Sequence, residues 1–203
     1  MTVFYLVRHG QVERRVGDPD PSLTVQGRRE AEQVAAALQA RPIARVYASP
    51  LRRAQETAAP IAGAHGLAVE TDARLRERAN FGDLPGQTLE VFVALWERCS
   101  RERDYAPPGG VSSREAGRRL ETWMAEVYEA LPDGEVVAVT HGGTIADFLL
   151  NVCPAAALAR IHPGFAARPY AAEIMSNGAI TVVACAAGRF TVQEIALTNH
   201  LAD

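Results

Sequence analysis

The chain predicts an α/β fold in which a mostly parallel sheet is flanked by helices. Three observations carry this expectation. Short apolar runs rich in β-branched and aromatic residues alternate with segments of helical period as far as residue 69, the pattern of a βαβαβ unit with parallel strands. Two runs, residues 3–7 and 136–140, each end in a His-Gly pair, at the carboxyl edge where open α/β sheets place their ligand crevices. Two further runs, residues 180–185 and 190–195, face each other across a turn at Ala187-Gly188. At 203 residues the chain is expected to be a single domain, 1–203, with a helical insert at about 86–131.

Val3 to Val7 reads as a strand buried on both faces, followed by Arg8-His9-Gly10, where Gly10 permits a tight turn and leaves room beside the ring. Gln11 to Ser22 is a polar loop bordering the site. Gly27, Ala31, Val34, Ala35 and Leu38 then fall at helical spacing, and that helix stops near Arg41-Pro42. Arg45 to Ala48 is a second strand running into Ser49-Pro50, which read as a helix N-cap and first helical position. The helix carries Leu51, Ala54, Ala58, Ile61 and Ala62 on one face and closes at His65-Gly66, before a brief strand at 67–69. Leu75 to Gly86 is a loop laid over a site. A helix from Thr88 follows, with Leu89, Phe92, Val93, Trp96 and Cys99 on one stripe.

Ser112 and Glu115 form a capping-box pattern opening a helix whose core face is Ala116, Leu120, Trp123, Met124, Val127 and Leu131. Both tryptophans stand at core spacing and are expected to pack; the two helices are expected to form a lid or subdomain beside the sheet. After a turn at 132–134, Val136 to Thr140 is a central strand. It delivers His141-Gly142-Gly143-Thr144, the start of a helix whose N-terminus favours an anion. Beyond Pro154 the chain reads as looser.

The formal charge of −3 argues against a general nucleic-acid binder. All 21 basic residues are arginine, which excludes a Schiff-base lysine and a P-loop lysine. Cys99, Cys153 and Cys185 are odd in number and lack a CxxC pair, so neither a disulfide framework nor a zinc site is expected. The first apolar run is too short for a membrane span, and no later segment approaches about 18 uninterrupted apolar residues, so a cytoplasmic protein without membrane contact is expected. His65, His162 and His200 read as surface or capping groups, and Asp18, Asp20 and the helix glutamates as solvated. Arg14, Arg15, Arg28 and Arg29 are either solvated charge or an extension of an anion pocket.

Two histidines at strand ends, Arg8 beside the first, and an arginine pair on the helix after Ser49-Pro50 describe a pocket for a dense anion. Phosphate fits best, because donors converge on it and a neutral imidazole can attack its phosphorus. The departing oxygen needs a proton, so a carboxyl group should overhang the pocket, and Glu77 is the candidate. LVRHGQ at 6–11, ASPLRRAQETA at 48–58, LRERANFGDLPG at 75–86 and VTHGGT at 139–144, with SLTVQGRREAE and PPGGVSSREAGRR in order between them, resemble the histidine phosphatase superfamily, the phosphoglycerate-mutase-like proteins. The resemblance spans nearly the whole chain and implies a three-layer sandwich.

It further implies that His9 is the phosphorylated nucleophile and that Arg8, Arg53 and His141 clamp the phosphoryl oxygens, with Gly10 and Gly142 in the phosphate cradle and Arg52 facing outward. Glu77 aligns with the general acid. Its loop reads FGDLPG where the family more commonly has FGxWEG, which leaves Asp83 as the reserve. Neither a metal nor a cofactor is implied. The expected activity is a metal-independent phosphomonoesterase of small phosphorylated metabolites, working through phosphohistidine. The alternatives are a phosphoglycerate-type mutase and a member directed at phosphorylated ligands or proteins. Specificity is expected in the Gln11 to Ser22 loop, the two middle helices and Arg160 to Tyr170. A terminal edge strand could pair across a two-fold axis to give a homodimer.

Overall fold

The computed structural model describes residues 1–13, 18–167 and 174–201. Among these, six strands form one sheet in the order β3-β2-β4-β1-β5-β6. They are β1 (Thr2–Arg8), β2 (Ile43–Ala48), β3 (Val69–Thr71), β4 (Glu135–Thr140), β5 (Ile180–Ala186) and β6 (Arg189–Leu197). β1 to β4 run parallel to one another, and the terminal hairpin β5-β6 adds two antiparallel pairings beside β1. The sheet is therefore mostly parallel, as expected.

Alternation along the strands divides the core in two. Phe4 and Leu6 of β1 share one face with Val136 and Ala138 of β4, against α4 (Ser113–Ala130) and α5 (Gly142–Val152). Tyr5 and Val7 share the other face with Val137 and Val139, against α1 (Val25–Leu38) and α2 (Arg52–His65). A period of two in the central strands thus builds the three layers.

The two middle helices, expected as a lid or subdomain beside the sheet, differ in how they pack. Leu120, Trp123, Met124 and Val127 of α4 belong to the first core, and the Trp123 ring meets Phe4 and Tyr47 edge-on at 6.0 and 5.1 Å. α4 is a layer of the sandwich. α3 (Leu89–Arg101) is different: Phe92 and Cys99 are buried, whereas Leu89 and Val93, expected on the same buried stripe, are 53% and 43% exposed.

Other local signals were overruled by tertiary partners. Ser49 does not cap α2; the cap position is Leu51, and the carboxylate of Asp20, expected in solvent, accepts from the Arg52 N–H at 2.9 and 3.1 Å. Glu30 and Glu56 are likewise engaged, accepting from the N–H groups of Gln11 and Leu23 at 2.7 Å each, so the loop after β1 is fastened to both α1 and α2. β3 begins two residues later than expected because the Leu67 N–H still closes α2 on the Ala62 carbonyl. Beyond Pro154 the chain is helical, with α6 (Ala155–Ile161) and α7 (Gly164–Ala167) and a buried Leu158. Arg14, Arg15 and residues 168–170 of the expected specificity segment lie outside the described residues. Among the described residues no single helix is long and apolar enough to cross a membrane.

α1 seats on the loop after β1 through two glycines. A Cβ on Gly27 would stand 2.2 Å from the Gln11 carbonyl oxygen, and one on Gly10 would stand 2.4 Å from the Gly27 carbonyl oxygen. Both neighbours are backbone and cannot step aside. Gly63 of α2, by contrast, has nothing within 4 Å of its Cβ position. Alanine gains about 1 kcal/mol of helix propensity at either site, but overpacking costs about 1–3 kcal/mol. The expected outcome in denaturant titration is that Gly63→Ala stabilises by about 0.5–1 kcal/mol while Gly27→Ala destabilises by about 1–2 kcal/mol; two equal shifts would show that the close approach relaxes.

Candidate active site

Strand pairing brings the site together. β1 and β4 are neighbours with Arg8 opposite Thr140, and β2 lies on the other side of β4 with Ala48 opposite Val139. The residues that follow, His9, Ser49 and His141, therefore leave the same edge side by side. The His9 N–H extends the ladder to the Thr140 carbonyl at 3.1 Å, and the Ser49 N–H to the Val139 carbonyl at 2.9 Å. The two imidazoles end with centroids 5.1 Å apart.

Both rings are buried and bracket one guanidinium. Arg53 Nε donates to His9 Nε2 at 3.2 Å, and an Arg53 terminal nitrogen lies 3.4 Å from His141 Nδ1. Arginine only donates, so both of those ring nitrogens carry lone pairs. The protons are then on the opposite nitrogens: His9 Nδ1 donates to the Gly10 carbonyl at 2.7 Å, and His141 Nε2 donates to Ser49 Oγ at 2.9 Å. Burial, reinforced by Arg53, His9, Arg8 and Arg76, holds the His141 imidazole well below its ordinary pKa, consistent with a neutral ring. Ser49, expected only as a cap, is thus the partner of His141.

These groups form one end of a cavity of about 300 Å³, with Arg8, Glu77, Gly142 and Gly143 also in its wall. Arg8 donates to the Met175 carbonyl, and Gly10 meets the Thr57 hydroxyl through its N–H at 3.0 Å. Arg52 points away, reaching Ser22. Sequence reasoning missed Asn80, whose Oδ1 accepts from Arg53 at 3.0 Å, and Asn177, which donates to the His9 carbonyl at 2.9 Å. Asn80 lies within the acid-bearing loop and was findable there; nothing marked Asn177.

Glu77 hangs over this end, as expected. Its carboxylate accepts from the N–H groups of Gly143 and Arg78 at 2.9 Å each and from the Thr144 hydroxyl at 3.2 Å. The N-terminus of α5, where an anion was expected, therefore holds the Glu77 carboxylate. Asp83 is exposed and is not in the cavity wall; it accepts from the Asn80 N–H at 3.0 Å and shapes the turn.

The far wall is apolar: Ala79, Phe81, Phe92, Val93 and Trp96. Trp96 corrects the expectation that both tryptophans are core, because helical spacing does not distinguish a core stripe from a cleft stripe. Its ring carries the Arg78 guanidinium 3.7 Å from its centroid. Arg78 also donates to Ser100 and Ser113, at 2.5 and 2.9 Å, and to both oxygens of Asp147 at 3.1 Å.

Asp147 is almost wholly buried, and that burial pushes its carboxyl up to about 6 despite Arg78. A folded pKa above the unfolded 3.8 means that the unfolded chain ionises first as pH rises, so the Asp147 contribution to stability is fully present below about 4 and is lost by above about 6. Asparagine mimics the neutral form throughout. The denaturation penalty of Asp147→Asn should accordingly shrink between pH 4 and 7, by about 2 kcal/mol; a penalty that grew with pH would show that Arg78 outweighs burial.

The sequence profile of the histidine phosphatase superfamily (branch 1) matches residues 4–198. An uncharacterized protein of Mycobacterium tuberculosis is 52% identical over 149 residues, 69% of this chain and 73% of the other. A probable phosphoglycerate mutase of Yersinia enterocolitica is 33% identical over 167 residues, 76% of this chain and 77% of that protein. Among solved structures, mycobacterial glucosyl-3-phosphoglycerate phosphatase in complex with inorganic phosphate matches with a TM-score of 0.73 at 28% identity, covering 98% of this chain and 99% of that one. With the profile running through both His-Gly strand ends and every cavity residue between them, this chain belongs to the histidine phosphatase superfamily.

Proposed function

We propose that this chain is a phosphomonoesterase that hydrolyses small phosphorylated metabolites through a phosphohistidine on His9, without a metal ion. The carrying observation is the tautomer of His9: its Nδ1 is tied to a carbonyl, so the lone pair on Nε2 faces Arg53 and the cavity. That nitrogen attacks phosphorus in line with the ester oxygen. As the P–O bond breaks, Glu77 gives its proton to the departing alcohol; it then takes a proton from the water that attacks phosphohistidine, and inorganic phosphate leaves as the P–N bond breaks.

Arg8 and Arg53 spread the charge of the equatorial oxygens. His141 joins them through Nδ1, and the Ser49 hydroxyl permits this because it both accepts and donates: when it donates to Nε2, Nδ1 carries the proton toward the phosphoryl group. Glu77 is preferred to Asp83 as the acid because only Glu77 is in the cavity wall. The mutase reading is favoured by one observation, the 33% identity to the Yersinia protein.

Hydrolysis of a phosphomonoester panel in excess chelator tests the proposal. Wild type should turn over and label at an acid-labile, base-stable site; His9→Ala should lose both while unfolding at the same denaturant concentration within error. Glu77→Gln should lower kcat by about 10²- to 10⁴-fold. Full activity in His9→Ala would overturn the assignment. Net isomerisation of phosphoglycerate on priming with bisphosphoglycerate, exceeding hydrolysis, would replace phosphatase with mutase.

A further inference from the structure

The polar end of the cavity accounts for the phosphoryl group, and the apolar end is left for whatever the phosphoryl group is attached to. Resting on the phosphatase reading above, we infer that the preferred substrate is a phosphomonoester of an apolar alcohol, aryl-alkyl or alkyl, rather than of a hydroxy acid.

Three observations carry this. First, the position of the leaving group is set by the acid. In-line attack by His9 places the ester oxygen on the side of phosphorus away from Nε2, within reach of Glu77. A Cβ on Gly143 would stand 2.5 Å from Glu77 Oε1 and 2.6 Å from the outer edge of the Trp96 ring, so the acid and the aromatic wall flank the same point. An alcohol protonated by Glu77 therefore departs along Trp96.

Second, the wall is built rather than loosely apolar. Phe92 is buried between Phe81 and Trp96, with ring centroids 5.6 and 5.7 Å away, and the Trp96 ring is backed by Arg78. The stripe continues outward: Val93 lines the cavity yet is 43% exposed, and Leu89, one helical turn earlier, is 53% exposed. An apolar substituent can follow α3 from the acid to the mouth.

Third, among the described lining residues, positive charge is confined to the cradle. Among the described residues lining the cavity the guanidinium groups are those of Arg8 and Arg53, both beside the imidazoles. A carboxylate or second phosphate on the leaving group would lie against Phe92, Val93 and the Trp96 ring, surrendering hydration with no cationic partner among the described residues of that part of the wall.

Binding and turnover separate this inference from the reading it rests on. The first measurement is calorimetric titration with 2-phenylethylphosphonate and methylphosphonate, neither of which can be hydrolysed. The aryl compound should bind roughly tenfold tighter or more, from burial of its ring; equal affinities would overturn the inference whatever the enzyme does. The second is kcat/KM for 2-phenylethyl phosphate, glycerol phosphate and 3-phosphoglycerate, all alkyl esters of similar leaving-group acidity. The order should be aryl, glycerol, acid, with the first two separated by roughly tenfold or more. Trp96→Ala should shrink that ratio severalfold, and Val93→Arg should raise 3-phosphoglycerate relative to the aryl ester. A Trp96→Ala loss equal for all three esters would mean a merely structural role and overturn the inference, as would wild-type preference for 3-phosphoglycerate, which would leave the phosphatase reading standing. Tight phosphonate binding with no His9-dependent turnover of any ester would do the reverse.

Discussion

The pairing of β1 with β4 in one register, Arg8 opposite Thr140, sets everything that the site can do. It is a parallel contact between strands far apart in sequence, and it fixes the two imidazoles with centroids 5.1 Å apart. A slip of one residue would move His9 along the edge and also turn Phe4 and Leu6 from one core to the other. Both cores therefore hold the register, and the register holds the site. Precision at the catalytic edge is inherited from packing rather than from the polar residues themselves, which could not enforce it from a loop.

Within that frame, the distribution of protons matters as much as position. Two arginines and two imidazoles share a small volume, where ring nitrogens of both histidines face Arg53 and burial holds the His141 imidazole well below its ordinary pKa. The negative counterpart, Glu77, rests on the first turn of α5, where backbone N–H groups favour an anion.

How much of this was legible in the sequence depended on the range of the interaction. The strands, the α4 capping box at Ser112 and Glu115, and the two His-Gly strand ends are local patterns, and they appear where expected. The insertion of β4 between β1 and β2 is nonlocal, and no residue near β4 announces it. Ser49-Pro50 carries a strong helix-start signal, yet Ser49 serves His141, and Asp20 takes over the cap from a distant loop. On α3, Phe92 and Trp96 have core spacing, but their partners are a cavity and a buried cation. Periodicity reports that a face is covered without reporting by what. Asp147 escaped notice because it belongs to no pattern, and Arg78, although within the 75–86 loop, carries no local sign of its buried partner; together they occupy the interior between α3 and α5.

That buried pair connects Glu77 to the apolar wall. Arg78 follows Glu77 in the chain and donates its own N–H to the Glu77 carboxylate, while its guanidinium reaches Asp147 on α5 and stacks on Trp96 of α3. A displacement of Trp96 must therefore pass through Arg78 to the backbone that carries Glu77. Independent mounting of the two would let a leaving group find the wall while missing its proton, and near-attack geometry tolerates little such error. Burying a charged pair is a poor way to gain net stability, and the raised carboxyl of Asp147 shows the desolvation opposing it. What the pair supplies instead is a packed link that fixes Trp96 of α3 relative to the backbone that carries Glu77.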